Sequence, residues 1–117
     1  VLAIFVAGLI VVLLLGSCGS RTPTQTHTVE YVLTGSATRV QATYNDGGGN
    51  YSQENAQLPW RKTFEMQDDA IPTLSAINSG ETGTVSCQIL LNGQPWQEAH
   101  SDVPYGSVTC SGNLFEP

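Results

Sequence analysis

The sequence predicts an all-β fold, an antiparallel β-sandwich of about seven or eight strands that is immunoglobulin-like in architecture only. Three observations carry this expectation. From residue 28 onward, apolar side chains alternate with polar ones at period two, the repeat of a half-buried strand. Clusters of Asn, Asp, Gly, Ser and Pro separate the alternating segments, and these residues supply the backbone angles that tight turns need. Cys87 and Cys110 fall on the inward sides of two predicted strands, where a sandwich can bridge its layers.

In order, Val29, Tyr31 and Leu33 mark the inner face of a first strand, which Gly35 and Ser36 end. Thr38, Val40, Ala42 and Tyr44 mark a second, followed by a loop of Asn, Asp and Gly over residues 45–50. Residues 51–58 form a weak strand at a sheet edge. After Leu58-Pro59-Trp60, the residues Lys62, Phe64 and Met66 alternate with Arg61, Thr63 and Glu65. Residues 68–72 make a loop, Leu74, Ala76 and Ile77 a short strand, and Asn78-Ser79-Gly80 its end. Residues 84–91 are the strongest strand, with Val85, Cys87, Ile89 and Leu91 on one face. Asn92-Gly93 is a two-residue hairpin signal, so residues 94–100 return antiparallel. The last strand covers residues 105–111, with Val108 and Cys110 inward.

Only 12% of residues are charged, and the formal net charge is −6. Four basic residues, Arg21, Arg39, Arg61 and Lys62, form no stripe, so the phosphate backbone of a nucleic acid finds no complementary surface. The triple glycine at 47–49 lacks the Lys and following helix of a phosphate loop. Asp68-Asp69 is too short a set of oxygen ligands for calcium and suits a solvated turn. His100-Ser101-Asp102 contains the residue types of a catalytic triad, yet neighbours on a strand point to opposite faces. The expectation is a protein that is not an enzyme, with no catalytic residues, no metal and no cofactor. Asn50-Tyr51-Ser52 matches the acceptor triplet for N-glycosylation, and the match is read as coincidence. Trp60, Trp96, Tyr51 and Tyr105 are the candidates for contact with a partner or ligand, against the alternative that such aromatics fill the core.

Residues 1–15 form an unbroken apolar run. As a helix it would be about 22 Å long, short for a membrane span and suited to the apolar region of a signal peptide. The run carries no initiator Met and no basic segment before it, so a start truncated or misassigned upstream is expected. Leu15-Gly16-Ser17-Cys18 resembles the lipobox of bacterial lipoproteins. That resemblance implies cleavage before Cys18, a thioether-linked diacylglycerol on it, and N-acylation. Several acyl chains give stable anchoring where one is marginal. The expected organisation is a signal peptide at 1–17, the lipidated Cys18 with a flexible linker to 26, and a sandwich domain over 27–117. Setting Cys18 aside leaves Cys87 and Cys110 as a disulfide pair, which suits an oxidising compartment. Closing a loop of about two dozen residues contributes roughly 3 kcal/mol. In an antibody-type domain the bridged pair lies much farther apart.

The folded part resembles the small mycobacterial membrane protein family (MmpS), known as transport accessory proteins. The features are residues 29–35 (VEYVLTG) with Ala37-Thr38, the strand from Val40 to Tyr44, Leu58-Pro59-Trp60 before a strand, Cys87-Gln88-Ile89 leading to Asn92-Gly93, and Cys110. No one motif is specific; their order and spacing over about residues 28 to 112 carry the likeness. The resemblance implies a domain outside the cytoplasmic membrane that cooperates with a large resistance-nodulation-division (RND) type transporter, MmpL, exporting lipids or siderophores. Family members commonly carry a transmembrane helix where this chain has a lipobox. The expected function is thus a lipid-anchored accessory domain on the extracytoplasmic face of the cell membrane. The alternative is a lipoprotein that binds a small molecule, a lipid or a cell-wall polymer.

Overall fold

A computed structural model describes residues 25–115 of the chain. The apolar run, Cys18 and most of the expected linker lie outside the described residues. Within them the structure is all-β, with eight strands: β1 (Thr26–Thr34), β2 (Val40–Asn45), β3 (Tyr51–Ala56), β4 (Trp60–Gln67), β5 (Thr73–Asn78), β6 (Val85–Leu91), β7 (Gln94–Ser101) and β8 (Ser107–Ser111). They form two four-stranded sheets, in the orders β4-β1-β6-β7 and β3-β2-β5-β8. Every pairing is antiparallel.

Period two sets the burial. Val29, Tyr31 and Leu33 on β1 stand opposite Phe64, Lys62 and Trp60 on β4, and opposite Leu91, Ile89 and Cys87 on β6. Val40, Ala42 and Tyr44 on β2 face the same interior from the other sheet, with Leu74 and Ala76 beside them. The Cys87–Cys110 disulfide ties β6 to β8, and so one sheet to the other, with a Cα–Cα distance of 6.2 Å. Both half-cystines are buried.

Several boundaries differ from the sequence expectation, for local reasons. Thr38 precedes β2, because the chain turns there under a close loop contact in which Ala37 N–H donates to Thr84 O at 3.0 Å. Leu58 lies beyond β3, at the cis Leu58–Pro59 peptide. Tyr105 is not on β8: Pro104 and Gly106 frame it in a turn, and β8 begins at Ser107. At the start, β1 already pairs at Thr26, opposite Gln67, so strand structure begins inside the stretch expected to be linker. Ile77 faces outward on β5, and β7 pairs with β6 through a register shift at Ile89/Leu90.

The topology gives the sandwich two poles. At the near pole the chain enters β1, beside loops 46–50 and 68–72 and the Asn92-Gly93 turn. Two side chains fix this point of entry. Asp68 accepts from the His27 ring at 2.6 Å and from Gln25 N–H at 3.2 Å. Asn92 Oδ1 accepts from Thr28 N–H at 2.9 Å. The far pole holds the loops at 35–39, 57–59, 79–84 and 102–106. Buried Asn78 organises it by donating to Thr82 O at 2.9 Å and accepting from Gly80 N–H at 2.9 Å.

Candidate functional site

The four candidate aromatics are dispersed, and they divide into two kinds. Trp60 and Trp96 are half-buried and pack against the core at opposite sides of the sandwich. Trp60, on edge strand β4, lies 5.3 Å from the Tyr44 ring, and its indole N–H donates to Glu54 on edge strand β3 at 2.7 Å. Glu54 points inward from an edge, and Lys62 approaches it at 3.9 Å. Inward charges of this kind discourage edge-to-edge pairing with another chain. Trp96, on edge strand β7, lies across Gly112, where any Cβ would overlap its ring. Tyr51 and Tyr105 are instead exposed, at 64% and 60%, the first beside the near pole and the second at the far pole.

Between β3 and β4 the two sheets leave a lateral cleft of about 490 Å³, open to solvent, lined by Tyr44, Asp46, Ser52, Lys62, Thr63 and Phe64. Tyr44 and Phe64 form its floor, and the fully buried Tyr31 lies behind them, 5.6 Å from Phe64 and 6.1 Å from Tyr44. Asp46 is committed to its own loop. Its carboxyl is held below the usual carboxylate range by the Gly48 N–H and by Asn50. Behind the floor, burial raises the Tyr31 phenol far above its ordinary value. The phenol donates to Asn45 Oδ1 at 2.6 Å and accepts from Thr73 N–H at 3.1 Å. This buried pair joins β1 to β2 and to the start of β5.

The two outer faces differ in charge. The face of the β4-β1-β6-β7 sheet carries the Arg61–Glu30 ion pair at 2.8 Å, with Glu65, Glu98 and His100. A shallow groove of about 420 Å³ crosses it at Thr34, Ser86, Gln88, Glu98 and His100. There His100 Nδ1 and Ser86 Oγ share a hydrogen bond of 2.7 Å. Register makes them opposite neighbours. His100 does not bond Ser101, its neighbour in sequence, and Asp102 lies past the end of β7. The outer face of the other sheet has hydroxyl and amide side chains instead, paired as Ser75 with Thr109 at 3.1 Å and Gln53 with Thr43 at 3.3 Å. Among the described residues, no group of three or more His, Cys, Asp or Glu is placed to hold a metal ion.

Neither the Ser86–His100 pair nor the Glu54–Trp60 contact was visible in sequence. The first depends on which strands pair and in what register, the second on how the two sheets stack, and period two alone specifies neither.

Fold and bridge define a disulfide-linked β-sandwich domain preceded by an apolar N-terminal run. The chain belongs to the family of Mycobacterium membrane proteins, whose model matches residues 2–111. The match covers both the apolar run and the sandwich, and it agrees with the resemblance to the MmpS family. No curated protein matches the chain. Family membership associates the chain with a membrane. Among the described residues no helix is long and apolar enough to cross one.

Proposed function

We propose that this chain is a non-catalytic accessory domain, held at the extracytoplasmic face of the cell membrane, that supports an RND-type (MmpL) export system for lipids or siderophores. The observation that carries this reading is the family match, which runs without division from the apolar run through the sandwich. The Cys87–Cys110 bridge supports an oxidising compartment. The clamped start of β1 supports a domain presented in a fixed attitude to its tether. In this reading Cys18 carries the lipid, and the roughly 20–22 Å reach of residues 19–24 keeps the domain close to the bilayer.

The test is affinity capture of the full chain from its own membranes after mild solubilisation. Recovery of an RND-type transporter is expected. Repeated capture without one would overturn the partnership. Cys18→Ser is expected to release the chain from the membrane fraction, and a variant that stays bound while the wild type carries no lipid would overturn the anchor.

A second reading, capture of a small amphiphile or glycan, is favoured by the aromatic-floored cleft between β3 and β4. A cleft with an apolar floor and a few polar rim groups is the usual form of a ligand site. In that case Phe64→Ala would abolish ligand binding and leave transporter recovery unchanged.

A further inference from the structure

The turn at 103–106 holds its backbone in an unfavourable state for the residue it contains. Gly106 N–H donates to Val103 O at 3.0 Å, and Tyr105 has φ 55°. Pro104 followed by a positive φ is the pattern of a type II turn, whose third position is normally Gly or Asn. A bulky residue there is a genuine outlier. The turn is also rigid. Tyr105 N–H donates to Gly80 O at 3.1 Å, Asn78 N–H donates to Gly106 O at 2.8 Å, and a Cβ at Gly106 would overlap Ser101 Oγ. The fold therefore fixes the turn firmly and aims a strained tyrosine at solvent. Val103 in the same turn and Ile77, opposite Ser107 on the adjoining strand, are exposed beside it.

We propose that this turn is the contact through which the sandwich docks on its protein partner, with the Tyr105 ring seated in an apolar pocket of that partner. The proposal rests on the accessory-domain reading above. Strain held by a rigid surround and exposed at the surface points to a use for the side chain, and a pre-set aromatic ring is an efficient anchor in an interface. With Cys18 anchored at the bilayer, as in the reading above, the chain's own linker does not supply the cover. Residues 19–24 extend about 22 Å at most, whereas the nine residues of β1 separate the poles by about 30 Å. Lipid is disfavoured by charge: the far-pole loops carry Arg39 alone against Glu81 and Asp102, the reverse of what anionic headgroups attract.

The test uses the full chain in its native membranes, with transporter recovery quantified by mass spectrometry for the wild type, Tyr105→Asn, and Ile71→Ser as a control at an exposed near-pole residue. Recovery by Tyr105→Asn is expected to fall roughly tenfold or more, with Ile71→Ser at wild-type level and the Tyr105→Asn melting temperature no lower than wild type. Undiminished recovery by Tyr105→Asn would overturn the proposal. So would a lowered melting temperature, which assigns the ring to the fold. Binding of the wild type, but not the variant, to phosphatidylcholine–phosphatidylglycerol vesicles would replace the protein partner by lipid and overturn it too. A wild type that recovers no transporter would instead overturn the underlying reading, and this proposal with it.

Discussion

Removing the Cys87–Cys110 bridge is the perturbation whose size follows most directly from the topology. The bridge closes a loop with a sequence separation of 23 and joins β6 of one sheet to β8 of the other. In the chain-entropy description, cross-linking over that length removes about 11 cal/mol/K from the unfolded ensemble, which is about 3 kcal/mol at 25 °C. A domain of some ninety residues has a total stability of roughly 5–13 kcal/mol, so the bridge is a large share of it. The double variant Cys87→Ala/Cys110→Ala is the suitable form, because Ala introduces no hydroxyl into a buried site. Its melting temperature, followed by circular dichroism, should fall by roughly 12–24 °C. Wild-type protein in reductant should move towards the same value. A double variant that melts within about 3 °C of the wild type would refute the assignment of the inter-sheet link to this bridge.

Three further outcomes are expected. The Asp68 carboxyl is held below its ordinary range, first by the His27 ring and then by Gln25 N–H. The stabilisation it contributes is therefore complete above the unfolded carboxylate value near 4 and is lost as pH falls through the lower folded value. Asp68→Asn should unfold more easily than wild type at pH 6 in urea, and the difference should shrink by pH 3. Trp60→Phe keeps most of the ring but loses the bond to Glu54. With Glu54 partly solvated, the cost should be about 1 kcal/mol in urea unfolding. Gly83 has φ +95°, and a Cβ there would overlap the Ala37 backbone, so Gly83→Ala should cost about 2–3 kcal/mol by the same measurement.

Much of this architecture is written in local pattern. The alternation at Val29, Tyr31 and Leu33, and again at Val85, Cys87 and Ile89, identifies inward faces because side chains on a strand repeat every two residues. The paired cysteines were legible for the same reason. Sheet membership was not: nothing in β1 says that it lies between β4 and β6, since pairing is decided by how all eight strands cover one another. Buried polar residues were also hidden. Asn45 and Asn78 resemble ordinary turn residues in sequence, and only tertiary structure shows them satisfying backbone groups from inside. The alternation at Val108 and Cys110 extends a predicted strand back to Tyr105. The Pro-Tyr-Gly sequence around it is the signal for a turn instead, as Pro sets the second position of a turn. Among the candidate contact residues, the sequence could not separate Trp60 and Trp96, which seal the sides of the sandwich, from Tyr51 and Tyr105, which stand in solvent.

The accessory role is tested most directly by export itself. In a strain lacking this chain, lipids and siderophores are quantified inside the cell and at its surface. One exported class should accumulate inside and fall outside, and the wild-type chain should restore it. Unchanged distribution of every class would rule out the accessory role.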